Sequence, residues 1–195
     1  GDTRNCVFQD ICVRNNRNGV LSRYGRNITI EQCDFSQNYY GIYMYGVLGA
    51  SISQNILDYN YRYGIYMQVC TDNTITANTI TNNVAYGIYL RASSFNRVSG
   101  NNISSSDYGI YLHLSRDHEV SSNFFTNNEI GLQIESGTNN TLYRNNFIYN
   151  SLFNAKDSSN TNSWDKGETG NYWDDYTGVD INNDGTGDTP YNVPG

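Results

Sequence analysis

Apolar residues along this chain recur on a period of 22–23 residues, and within each period they alternate with polar ones in twos. Gly19, Gly41, Gly64, Gly87, Gly109 and Gly131 mark the period. Eleven residues after each comes a branched aliphatic: Ile30, Ile52, Ile75, Val98, Val120 and Leu142. Three further on stand Cys33, Asn55, Asn78, Asn101, Asn123 and Asn145. Two beyond those are Phe35, Leu57, Ile80, Ile103, Phe125 and Phe147. In Gly-Ile-Tyr-Leu, Ile88 and Leu90 face one way and Tyr89 the other, the alternation of a strand rather than a helix. A unit this short cannot bury a core alone, so equal units must stack. The leucine consensus of a leucine-rich repeat is absent. The pattern predicts an all-β, right-handed parallel β-helix of six to seven three-strand coils.

Each column then has a role. The aliphatics stack into one core. The asparagines Asn55, Asn78, Asn101, Asn123 and Asn145 suit a bend, where Asn tolerates a left-handed backbone and its amide can bond its equivalents above and below. Cys33 interrupts that ladder. The glycine admits the chain where a side chain would collide or strain φ. After Asn154 the register is lost, dividing the chain into coils over 1–154 and a capping segment over 155–195 that is rich in Asp and carries Trp164, Tyr172, Trp173 and Tyr176. Val7 is already in register, so a partner surface at the start is expected, either other parts of a longer surface protein or a second subunit.

The word YGIY occurs four times and places tyrosines outward. Tyr43, Tyr66, Tyr89 and Tyr111 form one column, with Tyr40, Tyr63, Tyr86 and Tyr108 beside it. Rings repeated at strand spacing can stack, with their hydroxyls left in water. Next along the same strands come Tyr45, Gln68, Arg91, His113 and Glu135. Aromatic surface flanked by polar groups suits a glycan, so the first tyrosine column is a candidate ligand-binding surface; sheet stabilisation or packing is the competing role. Arg91, His113 and Glu135 share a column and are a weak candidate for proton abstraction. A glycosidase needs two carboxylates about 5–9.5 Å apart, and on this face Glu135 is alone. His118, between Asp117 and Glu119, reads as part of a surface turn.

The net charge of −7 disfavours nucleic acid, which demands clustered Lys and Arg. No apolar run approaches the roughly 18–20 residues of a membrane span. Cys6, Cys12, Cys33 and Cys70 lack zinc-site spacing; Cys12 falls in a core column, and the connectivity of any disulfide is open. Sequons at Asn27, Asn102 and Asn139, with the even cysteine number, favour an extracellular or cell-surface location. In DINNDGTGD, Asp180, Asn182, Asp184, Thr186 and Asp188 occupy positions 1, 3, 5, 7 and 9 of a calcium loop, although position 12 is Tyr191. Calcium is the one cofactor expected.

The stretch NTITANTITNNVAYGIYL, followed by FNAKDSSNTNSWDKGETGNYWDDYTGVDINNDGTGDTPYNV, resembles the NosD-like parallel β-helix repeat family. The closing GNYWDDY and DGTGDTPY are similar to the ends of such domains in surface proteins of methanogenic archaea. The resemblance implies the fold and leaves function open, since relatives include hydrolases, lyases, epimerases and non-catalytic surface modules. Two histidines and two methionines offer copper little to bind. The residues favour a non-catalytic structural or adhesion module of a surface filament, sheath or layer, self-associating through its faces and ends. The alternative is a protein that binds or degrades polysaccharide with its tyrosine face.

Overall fold

A computed structural model describes residues 4–159, 161–167, 169–181 and 187–195. One coil shows how the sequence builds the rest. Ser51–Ser53 is a strand, Ile56–Asp58 a second and Tyr63–Gln68 a third, longer one. A single bridge at Thr71 forms a narrow fourth side before Thr74–Thr76 opens the next coil. Every strand pairs in parallel with its equivalent one coil away, for example Ile42 with Ile65 and Ile65 with Ile88. Among the described residues there is no helix, and three parallel sheets of seven, seven and six strands form one β-solenoid. Pairing continues past Asn154, through Phe153–Asp157 on Ile130–Glu135 and Tyr172–Trp173 on Asn146–Ile148.

Like stacks on like inside the shaft. Ile30, Ile52, Ile75, Val98, Val120 and Leu142 are fully buried, as are Phe35, Leu57, Ile80, Ile103, Phe125 and Phe147. The last of these stack onward: Phe125 on Phe147 at 4.7 Å, Phe147 on Trp173 at 4.5 Å and Trp173 on Tyr191 at 4.1 Å. The glycine column lies on the core side of its strand. A Cβ at Gly64 would sit 2.7 Å from the Gly87 carbonyl oxygen and 2.8 Å from Ile80 Cγ2. Collision, not φ, is therefore what demands glycine there.

The corners correct the expectation for asparagine. A coil turns at four residues with φ near +55°, in the third coil Gln54 and Tyr59, then Val69 and Asp72. Each ladder asparagine is the residue after such a position, not the left-handed residue itself. The turn swings its side chain inward, where its amide oxygen accepts the backbone N–H of the equivalent corner one coil below and its amide nitrogen donates to strand carbonyls. The Asn55 N–H donates to Asn78 Oδ1 at 2.9 Å and the Asn78 N–H to Asn101 Oδ1 at 3.0 Å. Asn78 Nδ2 donates to the Ile52 and Thr76 carbonyls, both at 3.0 Å. At Cys33 the amide is missing, and the thiol donates instead to the Glu31 carbonyl at 3.1 Å.

Two further ladders run at other corners. One passes through Asn38, Asn60 and Asn83; the other through Asn73, Asn96, His118 and Asn140. His118 is thus 2% exposed, not on a surface turn. Its Nδ1 accepts the Asn96 N–H at 3.1 Å, while Nε2 is buried without a partner. Cysteine positions are also corrected: Cys12 is exposed rather than in the core, Cys33 and Cys70 are buried, and all four thiols are free.

Candidate functional site

The tyrosine sheet owes its shape to the glycine. Gly41 and Ile42 both face the core, so Tyr40 and Tyr43 both emerge on the outside, three residues apart. Repeated in register, this makes two adjoining columns of rings. Tyr43 stacks on Tyr66 at 5.1 Å and 17°, Tyr66 on Tyr89 at 5.1 Å and 23°, and Tyr89 lies 5.1 Å from Tyr111. In the second column Tyr40, Tyr63, Tyr86 and Tyr108 follow at 5.2, 5.1 and 5.0 Å. Cross-links such as Tyr86 to Tyr111, 5.2 Å and 10°, join the columns. Because ring faces cover one another along the axis, the outer surface shows edges and hydroxyls.

Those hydroxyls are not simply in water, which corrects the sequence expectation. Tyr66 donates to Gln68 Oε1 at 2.9 Å, the Tyr89 hydroxyl faces His113 Nδ1 at 3.2 Å, and Tyr111 donates to Glu135. Burial among neighbouring rings pushes Tyr89 up to about 12. It also raises Tyr66, against the pull of Arg91, and Tyr111, where Glu135 adds to the rise. All stay neutral phenols near pH 7. Arg91, His113 and Glu135 occupy one register column in successive coils, and their partners are tyrosines.

Sequence reading missed two flanking features. Tyr39 packs edge-on against Tyr40 at 4.8 Å, and Arg62 donates to the Tyr39 hydroxyl at 3.1 Å while lying 5.1 Å over the Tyr63 ring. The signal was the paired Tyr39–Tyr40 and the run Tyr-Arg-Tyr at 61–63. Asp107 and Glu129 stand at equivalent places in adjacent coils, each just before the tyrosine sheet; Ile130 N–H donates to the Asp107 carbonyl at 2.8 Å. Burial, then Glu129, pushes Asp107 up. A second carboxylate therefore does exist beside this face, one coil from the first.

Other sequence candidates scatter. Asn27, Asn102 and Asn139 are exposed on three different coils. Of the calcium-loop residues, Asn182, Asp184 and Thr186 lie outside the described residues. Asp188 Oδ2 accepts the Ile181 N–H at 2.6 Å, and Asp180 makes contacts of its own.

Comparison with known proteins places the fold. A mutant of the periplasmic alginate epimerase AlgG superposes with a TM-score of 0.67 at 18% identity, over 83% of this chain and 46% of that one. DFA-IIIase from Arthrobacter chlorophenolicus gives 0.60 at 19%, over 67% and 36%. The mannuronan C-5 epimerase AlgE4 A-module of Azotobacter vinelandii gives 0.57 at 14%, over 82% and 56%. This chain thus spans roughly a third to a half of these proteins, and the likeness is one of fold. No curated protein matches it.

The model of the family described as periplasmic copper-binding protein (NosD) matches residues 2–178. The described residues do not fit copper. No three of His, Cys, Asp or Glu gather to hold a metal, Met44 and Met67 are closed in the core, and His113 Nδ1 faces a phenol. Stacked coils, asparagine corners and a match over most of the length converge: the chain belongs to the NosD family of parallel β-helix proteins.

Proposed function

We propose that this chain is a polysaccharide-binding β-helix module of the cell exterior, working within a surface assembly and leaving its glycan intact. The observation that carries the reading is the tyrosine sheet with its adjoining column of Gln68, Arg91, His113 and Glu135, repeated coil by coil along one straight face. Coils rise by about 4.8 Å, a step close to one sugar ring, so successive sugars would meet successive coils. Ring edges and hydroxyls point outward, so recognition would be by hydrogen bonding across a rigid bed of half-buried rings. Three structural neighbours carry names of polysaccharide- or oligosaccharide-directed enzymes, which is consistent with a glycan here. The family description as periplasmic places its members outside the cytoplasm, and no helix among the described residues is long and apolar enough to cross a membrane. Calcium at the 180–188 loop, glycans on the sequons, a capping role for 155–195 and self-association belong to the same proposal.

Affinity electrophoresis in gels containing single polysaccharides, run for wild type and for Gln68→Ala and His113→Ala, tests it. Retardation by at least one polysaccharide, lost in the variants, is expected; free migration of the wild type in every gel would end the reading. Electron microscopy of the purified chain reports any assembly.

A second reading is turnover, favoured by the Asp107–Glu129 pair, whose separation by one coil is near the spacing of retaining glycosidases. Release of reducing or unsaturated sugar ends that Asp107→Asn and Glu129→Gln abolish would establish it.

A further inference from the structure

The eight tyrosines form more than a surface. Each ring has a neighbour in the array within 5.6 Å, centroid to centroid, across four coils. A phenol gives up an electron readily only if its proton can leave too, so the base at each hydroxyl decides where a radical rests. Among the described residues one hydroxyl of the eight, that of Tyr111, donates to a carboxylate, Glu135. Tyr89 faces an imidazole nitrogen. Tyr66 is held by an amide oxygen that is no base, and by the cation of Arg91; Arg62 lies over Tyr63. Positive charge thus attends the rings of the lower coils and a proton acceptor the upper end. The array slopes electrostatically toward Tyr111.

We propose that this array is a one-electron relay that collects oxidising equivalents and settles them on Tyr111, with Glu135 as proton acceptor. The oxidant is an oxygen-centred radical of the peroxyl class. It takes one electron and one proton from a phenol, leaving as a hydroperoxide, and the phenol becomes a neutral phenoxyl radical. An electron from a neighbouring ring reduces that radical, which regains a proton from water, while the neighbour's own phenolic proton passes to water and leaves a neutral phenoxyl radical there. At Tyr111 the departing electron leaves the radical behind and the phenolic proton passes to the Glu135 carboxylate, which returns it to water. What the relay spares lies in the same strands: Met44 and Met67, fully buried beside Tyr43 and Tyr66 in sequence. A sulfoxide on either would put a polar group into the core. The relay is independent of glycan binding.

The test uses the whole chain, flash-oxidised with photoexcited ruthenium tris-bipyridyl and persulfate. Freeze-quench paramagnetic resonance detects the radical, and peptide mass mapping locates the modified tyrosines. Modification at half-buried Tyr111 is expected to exceed that at Tyr59, Tyr61 and Tyr149, which are 60%, 66% and 75% exposed, by several-fold. Glu135→Gln should abolish that preference. In Tyr111→Phe, which keeps the ring, sulfoxide at Met44 and Met67 should rise. Modification that follows exposure, and is unchanged in both variants, would overturn the relay.

Discussion

Asn96 and His118 meet at a buried corner, where the Asn96 N–H donates to the imidazole Nδ1 at 3.1 Å in the place that Asn fills one coil below and one above. The acceptor Nδ1 must be unprotonated, and burial holds the ring down to about 4 from its ordinary 6.5, against the opposing charge of Asp117. The unfolded chain therefore binds this proton first. The neutral histidine contributes stability that is fully present above about pH 6.5 and is lost as pH falls toward 4, on the order of 3 kcal/mol in all. Urea titrations at stepped pH should show this loss in the wild type. His118→Asn, restoring the ladder, should flatten the profile between pH 6.5 and 4; an unaltered slope would assign the acid lability elsewhere.

Removing one rung should cost more than removing an ordinary hydrogen bond. In Asn78→Ala the Asn55 N–H loses its acceptor while the Ile52 carbonyl and Asn101 Oδ1 each lose a donor, all in the dry interior. The sum is roughly 3–5 kcal/mol, because the stranded Asn55 N–H costs its full desolvation and each further lost bond adds about 1 kcal/mol, although Asn101 Oδ1 keeps the Asn78 N–H. Denaturant midpoints measure it, and a loss below about 1 kcal/mol would show that water repairs the corner.

Two glycine-to-alanine changes separate collision from conformation. Gly64→Ala drives a methyl into a backbone carbonyl and Ile80, and should cost at least about 2 kcal/mol. Gly100 has φ +67° with its nearest atom 4.0 Å away, and the equivalent position one coil below carries Ala77 at φ +54°. Gly100→Ala should cost about 1 kcal/mol or less. Thermal melts of the two proteins, compared side by side, give the order.

Thiol chemistry should divide the four cysteines in two. Burial pushes the Cys70 thiol up to about 11 and raises Cys33 as well. Cys12 is exposed and Cys6 partly so. Ellman's reagent at neutral pH should therefore titrate two thiols in the native chain and four in denaturant. Immediate reaction of Cys70 would mean that its corner opens.

Legibility from sequence tracks how far a residue's fate depends on its own coil. The glycine and aliphatic columns were readable because a collision with the next carbonyl, or a place in the shaft, recurs on every coil and filters residue type each time. The left-handed corners were not, for Gln54, Ala77, Ser122 and Arg144 share a backbone conformation but no side-chain chemistry. The inward asparagine beside each of them absorbs the selection instead. His118 misled because its neighbours Asp117 and Glu119 are polar, although the corner turns alternate side chains to opposite sides of the wall. Cys12 misled in the other direction: it pairs with Asp34, and Asp34 with Ile56, in a column that faces outward, while its neighbour Val13 is the residue in register with the buried Phe35.

For the candidate site, the tyrosine columns and the column of Arg91, His113 and Glu135 were legible from spacing alone. Their chemistry was not. Spacing says that rings lie one above another, and that Asp107 and Glu129, each two residues before its period glycine, stand one coil apart; only the three-dimensional packing set the ring tilts and paired Tyr111 with Glu135 and Tyr89 with His113. The one-dimensional order of the chain, with its 22–23-residue period, dictated which residues stack, since a solenoid coil has a single register that keeps apolar groups inside. Which way each side chain leans, and what it bonds, was decided by contacts between coils, because those energies belong to pairs of residues some 22 positions apart rather than to either residue alone.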